Sequence, residues 1–365
     1  MRRTEATAWV VSACLVSLRL SQAKTLGALV AAAMRVERVS LANIGRRMLG
    51  AAKHQIKRCW RFCDNDRVEP ADAMRGIVGR AVRRRRKPLL VALDWVDVRG
   101  FDTLVAAAVL KGRSVPLCWA SCRGHDYDGH RSRNAFEESL LLVLRSMVPE
   151  RVKVILLADR GFGRTEMARF CQRHGFSYVV RIKSDVWVES AGYAGNLFDY
   201  PVRKGACKLL RAVRYRKSAP VTQNVVVRWV RGLPARRDGC WFLMTDLTAG
   251  PAKLAALYRR RMTVEELFRD HKSKRNGWSL RDTQVKTPQR LDRLLLVLAV
   301  AYLLLCGVGL VARQTHRPSA WCSSSRELCS VFRIGRVMVD KNAIGPSRAF
   351  AAVLELSEAV AENWG

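Results

Sequence analysis

Apolar positions along this chain follow three textures, and each predicts different elements. Up to residue 87 they recur at helical spacing, with Ser40 placed to cap a helix over Leu41–Leu49 and Gly50 separating it from a second over Ala52–Phe62. From residue 88 the apolar residues become continuous. Leu89–Leu93 reads as a buried strand ending at Asp94, and Leu104–Leu110 and Val115–Ala120, around the turn Lys111-Gly112-Arg113, extend it into an antiparallel meander. A helix over Asn134–Met147, a strand over Val152–Ala158 ending at Asp159, a helix over Thr165–His174 stopped by Gly175 and a strand over Phe176–Ile182 follow. That order predicts an α/β fold, a mixed sheet with helices on its faces. From Asp185 to about Asp246 the texture changes to alternating stretches such as Lys208–Tyr215, Val221–Val230 and Cys240–Thr245, which predict a β-rich insertion of antiparallel strands. Helical spacing returns at Ala252 and runs through Lys272. Leu294–Ala312 is a long uncharged helix, and a less regular tail from Arg313 closes with a helix over Ser347–Asn363 capped by Ser347.

These textures divide the chain into residues 1–87, helical and basic; 88–184, the first part of the core; 185–246, the insertion; 247–315, the second part of the core; and 316–365, a tail assigned to dimerisation or DNA contact. Leu294–Ala312 is long enough to cross a bilayer. It contains Gly307 and Gly309 and has no companion span, and it reads as a helix buried in a large core, with no membrane partner. The apolar run 8–18 behind Arg2 and Arg3 resembles a signal peptide only weakly, because Glu5 and serines interrupt it.

Charge narrows the partners. There are 65 lysines and arginines against 31 acids, a net charge of +34 and a pI near 10.8. Such an excess points to a polyanion. Residues 1–87 alone hold 20 basic residues and 6 acids. The two short helices around Gly50, the second carrying Lys53, Lys57, Arg58 and Arg61, resemble a helix-turn-helix that would meet DNA. Arg83 to Lys87 serve equally as a solvated linker or as phosphate contacts. Eleven cysteines without CxxC pairs read as reduced thiols in a cytoplasmic protein.

The chemistry concentrates in the acids. Tyr258, Arg261, Glu265 and Lys272 return to nearly one bearing of a helix predicted to run about four turns. A carboxylate there lies among donors suited to phosphate oxygens, although the same spacing also makes ordinary helix ion pairs. Asp94 and Asp159 each end an apolar strand of one sheet. If those strands are neighbours, both carboxylates and Glu265 can hold Mg²⁺ or Mn²⁺ for phosphodiester chemistry. Asp97 is three residues from Asp94 and faces the other side of the strand, and Glu266 lies about 100° round the helix from Glu265. His125, Asp126, Asp128 and His130 are metal-capable residue types in a Gly-rich loop, which a polar surface loop also explains.

The spacing Tyr258-x2-Arg261-x3-Glu265-x6-Lys272 resembles the signature of bacterial DDE transposases of the insertion-sequence-4 family. Asp94 in Leu-Asp-Trp-Val-Asp, Asp159 in Ala-Asp-Arg-Gly-Phe, and Trp278-Ser279-Leu280-Arg281-Asp282 before the apolar helix carry the likeness over residues 25 to 335. The chain departs from the pattern in its short length and in offering three consecutive arginines, Arg259 to Arg261, of which only Arg261 has the spacing. The resemblance implies an RNase H-like core interrupted by the β insertion, and an N-terminal helical DNA-binding domain. It also implies Mg²⁺-dependent cleavage at an element's terminal inverted repeats, with joining to target DNA, by a homodimer in the synaptic complex of a cytoplasmic, nucleoid-associated bacterial protein. By position, Asp94, Asp159 and Glu265 would be the catalytic, metal-binding triad, and Tyr258, Arg261, Lys272 and Arg181 would hold DNA phosphates. Two alternatives remain: a nuclease of the same fold that does not join strands, and a transposon-derived DNA-binding protein that has lost catalysis.

Overall fold

The continuous apolar runs form the centre of one ten-stranded sheet. The computed structural model describes residues 1–364, leaving out 125, 128, 232–238, 276, 323–328, 342 and the side chain of residue 363. β1 (Leu89–Val98), β2 (Phe101–Val109) and β3 (Ser114–Cys122) are an antiparallel meander. Arg99 and Gly100, with φ of 57° and 78°, make the tight turn between the first two. β4 (Val154–Ala158) and β5 (Phe176–Arg181) pair in parallel on the other side of β1. Every residue of β4 is buried, because a parallel strand is covered on both faces, and this is why its sequence shows no alternation. Around this centre lie α6 (Arg133–Met147) and α7 (Thr165–Arg173), with the helices α1 (Arg3–Cys14), α2 (Leu20–Ala33), α3 (Leu41–Arg47), α4 (Ala52–Asp64) and α5 (Pro70–Val82) preceding them in the chain.

The alternating segment continues the same sheet. β6 (Trp187–Ser190), β7 (Tyr193–Asn196), β8 (Cys207–Tyr215), β9 (Val221–Trp229) and β10 (Cys240–Thr245) are antiparallel, and β10 joins β5 with Leu243 opposite Arg181. The order across the sheet is β3-β2-β1-β4-β5-β10-β9-β8-β6-β7.

The remaining helices are α8 (Pro251–Arg259), α9 (Thr263–Lys272), α10 (Pro288–Thr315), α11 (Val331–Met338) and α12 (Pro346–Ala359). Among the described residues, α10 is the one helix long and apolar enough to cross a membrane, and it is buried inside the protein. Its polar N-terminal turns are docked: Arg293 donates to the carbonyls of Cys63 and Val68, and Asp292 accepts from the Ser121 hydroxyl at 2.6 Å. α11 and α12 press against its other end, where Gly307 and Gly309 let backbone meet backbone. A Cβ at either glycine would run into the carbonyl of Ala349 or Val331.

Four expectations need correction. β1 does not end at Asp94 but runs to Val98, because its antiparallel pairing with β2 outlasts its parallel pairing with β4. The stretch 258–272 is helical but not one α-helix. Residues Arg260–Met262 tighten into a 3₁₀ turn where the Thr263 hydroxyl bonds both the Arg260 carbonyl and the Ser114 side chain of β3. Residues 331–338 form α11, capped by Ser330, in what the pattern presents as irregular tail. Gly345, not Ser347, stands at the cap of α12, with Pro346 in its first turn.

Candidate active site

Three neighbouring strands reach one row of the sheet where the parallel pairing stops, β1 running on past it. Leu93 lies opposite Ala158, and Ala158 opposite Val180. The next residues on β1, β4 and β5 are Asp94, Asp159 and Arg181. One row of the sheet thus carries two acids and a cation toward the same face.

The turn after β4 sets Asp159. Its Oδ1 accepts from the Gly161 backbone at 2.9 Å, and Phe162 is buried as an anchor. A Cβ at Gly163 would lie 2.8 Å from the Arg181 carbonyl oxygen, so the turn closes onto β5 only because that residue is glycine. The Tyr215 hydroxyl, on β8, donates to the Gly163 carbonyl at 2.8 Å. A strand from the insertion therefore props the turn that carries one acid.

Arg261 ties the third acid to the first. Its Nη1 donates to Asp94 Oδ2 at 2.9 Å, and its Nη2 to Glu265 Oε1 at 2.9 Å. Burial pushes the Asp94 carboxyl up to about 6; Arg261 pulls it down, while Asp159 and Glu265 push it up again. Tyr258 is buried and packs edge-on against Trp241 of β10, with ring centroids 5.5 Å apart. Burial raises its phenol, and the Arg261 and Arg181 cations oppose that rise. Beside Asp159, Arg160, Arg181 and Lys183 line an open cleft.

The structure therefore brings together Asp94, Asp159, Glu265, Arg261, Tyr258 and Arg181, and it separates Lys272 from them. Burial and Arg281 lower the Lys272 ammonium, with Asp97 opposing, and its stem lines an apolar cleft with Val96, Val98 and Phe268. Asp97 itself accepts from the Gly100 backbone at 2.8 Å and serves the hairpin turn. Glu266 is engaged by Arg113 and Arg269. Of the Gly-rich loop residues, His125 and Asp128 lie outside the described residues, and His130 pairs with Ser139 at 3.2 Å.

On the N-terminal helix α4, Lys53, Lys57 and Arg61 are exposed, opposite the buried Cys59, Phe62 and Cys63. Arg58 donates to the Thr25 hydroxyl at 2.9 Å and is occupied in joining α4 to α2. In the basic run before β1, Arg85 is buried and holds the carbonyls of Lys87, Pro88 and Ser357. It is a structural latch to α12, while Arg83 and Arg84 stay exposed.

One residue gave no signal in the sequence. Glu137 on α6 is 1% exposed and accepts from the Trp95 indole at 2.9 Å and from Arg164 at 2.5 Å. Trp95 adjoins Asp94, and Arg164 closes the turn that begins at Asp159. The Glu137 carboxylate braces both acid-bearing segments from behind the sheet. An acid in the middle of an amphipathic helix reads as solvated unless its neighbours in space are known.

A protein-family profile, the transposase DDE domain, matches residues 87–304 of this chain. The chain belongs to the DDE transposases. The match starts just before β1 and ends within α10, so it spans Asp94, Asp159, the insertion and the Arg261 turn of the transposase. The mixed α/β sheet is consistent with the RNase H-like domain expected of such an enzyme. Comparison with curated proteins finds no match. Members of the family generally use divalent metals, and the donor set of this transposase suits one. Asp94, Asp159 and Glu265 offer hard carboxylate oxygens; burial raises the Asp94 carboxyl most, and a divalent ion would relieve the smaller push from Asp159 and Glu265. Among the described residues no three acids, histidines or cysteines are gathered closely enough to hold an ion as they stand, and the Arg261 guanidinium lies between two of the acids. All eleven cysteines are free thiols.

Proposed function

We propose that this transposase belongs to the insertion-sequence-4 group, binds the terminal inverted repeats of its element, cleaves there and joins the freed ends to target DNA. The observation that carries the reading is the row Asp94–Asp159–Arg181 with Glu265 linked to Asp94 through one guanidinium. Asp94, Asp159 and Glu265 would hold Mg²⁺ or Mn²⁺, which when bound activates the attacking hydroxyl and stabilises the departing oxygen. Asp159 is held in one rotamer by its bond to Gly161, so its carboxylate is presented without a search. Arg181, with Arg160 and Lys183 beside it, offers phosphate donors along the cleft next to Asp159. Tyr258 and Arg261 lie where the scissile phosphate would meet the acids. Lys272, a turn and more beyond Glu265, contacts DNA farther along its path.

The exposed Lys53, Lys57 and Arg61 would bind DNA from the N-terminal domain, and two protomers would pair two ends. A labelled duplex carrying the element's own end tests the reading, incubated with Mg²⁺ or EDTA and with wild type or Glu265→Gln. Nicking at the element boundary that requires both metal and Glu265 supports it. Cleavage without joining of supplied target DNA would favour a nuclease, and binding without cleavage under every metal tried would favour a lapsed, DNA-binding descendant.

A further inference from the structure

The Arg261 guanidinium occupies an unusual position for a phosphate ligand, because in the DNA-free protein it is spent on the acids. It spans Asp94 and Glu265 with bonds of 2.9 Å each, and its side chain is nearly buried. A monovalent cation here does the neutralising that a divalent ion would do. The span is also incomplete: the buried Nε–H of Arg261 has no hydrogen-bond partner. A guanidinium with an orphaned buried donor is held less firmly than one fully satisfied, and a phosphate offering several acceptor oxygens would satisfy it better.

We infer that Arg261 is a positioning residue that clasps Asp94 to Glu265 until DNA arrives, then releases them to the metal by turning to a DNA phosphate, so that metal and DNA bind cooperatively. This rests on the assignment of Asp94 and Glu265 as metal ligands. The coupling is reciprocal by thermodynamic necessity: if DNA withdraws the guanidinium and so favours the metal, the metal must favour DNA by the same factor. The clasp has two consequences. It keeps like-charged acids together in the resting protein, and it keeps the metal affinity low until a substrate is engaged.

The test measures Mn²⁺ binding, by electron paramagnetic resonance of the free ion, to full-length wild type, Arg261→Ala, Asp94→Asn and the Arg261→Ala/Asp94→Asn double variant. Each is measured without DNA and with a short random-sequence duplex under conditions that prevent turnover. Without DNA, Arg261→Ala should bind Mn²⁺ ~10-fold more tightly than wild type, a typical size for a coupling between sites. The duplex should tighten Mn²⁺ binding to wild type and do so much less for Arg261→Ala. Equal or weaker Mn²⁺ binding by folded Arg261→Ala would overturn the clasp. Should that variant fail to fold, as its circular dichroism would show, the wild-type comparison decides alone: no tightening on adding duplex overturns the inference. Asp94→Asn separates the two layers of the argument. If it leaves Mn²⁺ binding unchanged in both backgrounds, the metal-ligand assignment fails; if it abolishes binding while Arg261→Ala changes nothing, only the clasp fails.

Discussion

Glu265 and His271 lie six residues apart on one helix, and their environments give them opposite duties. Glu265 is reached by one guanidinium and remains open to a ligand, so Glu265→Gln should keep DNA binding while cleavage falls by more than about 100-fold, read as product from a labelled duplex. His271 is fully buried, stacked on Trp278 and edge-on to Tyr302, with Nε2 lacking a partner. Burial lowers its pKa from 6.5 to about 3. Between those values the unfolded chain holds a proton that the folded chain does not, so stability rises with pH across this window. Proton linkage at His271 therefore adds no penalty above pH 6.5 and destabilises progressively as pH falls toward 3, by at most about 1.4 kcal/mol per pH unit. His271→Phe should flatten that part of the acid limb in denaturant melts taken across the window; an unchanged limb would mean that His271 is protonated in the folded state.

At the scale of elements, the glycines mark where helix or turn meets backbone. Gly309 allows α11 to touch α10, and Gly309→Ala would force the Val331 carbonyl away, at a cost of about 1–3 kcal/mol or more in chemical denaturation. Tyr215 connects the insertion to the turn of Asp159. Tyr215→Phe should cost about 1–2 kcal/mol and reduce cleavage more than DNA binding, since it loosens an acid rather than a phosphate contact. Cleavage unaffected by that variant would show that the turn holds itself. The helices and strands of residues 88–182 were legible because their apolar runs are long and separated by Gly or polar turns. The 3₁₀ turn at Arg260–Met262 was not, because what tightens it is a hydroxyl on another strand, and Ser114 is distant in sequence from Thr263.

Over the whole molecule, charge sets affinity and fold sets where it acts. With a net charge of +34, binding to duplex DNA should weaken steeply with salt. Lys53→Ala or Lys57→Ala should each reduce the slope of log K against log salt by about 1 and leave the melting temperature unchanged. Arg58→Ala should instead lower the melting temperature, since its guanidinium bonds Thr25. The four cations of α4 look equivalent in the sequence. Equal salt slopes and equal melting temperatures across these variants would contradict the division.

The sequence by itself pointed to the DDE transposases and to a polyanionic partner, because a fixed side-chain spacing and net charge are properties of the chain read in order. It also indicated that Leu294–Ala312 would be a buried helix, while which elements cover it, among them β3, α2, α11 and α12, was set by the tertiary structure. Tertiary structure decided which residues of similar type act together. Lys272 shares a helical bearing with Glu265 yet lines an apolar cleft, Arg85 of a basic run is buried as a latch, and Glu137 braces the site from behind the sheet. Each of these outcomes turns on contacts between segments far apart in the chain, and periodicity along one segment carries no information about what another segment brings to it.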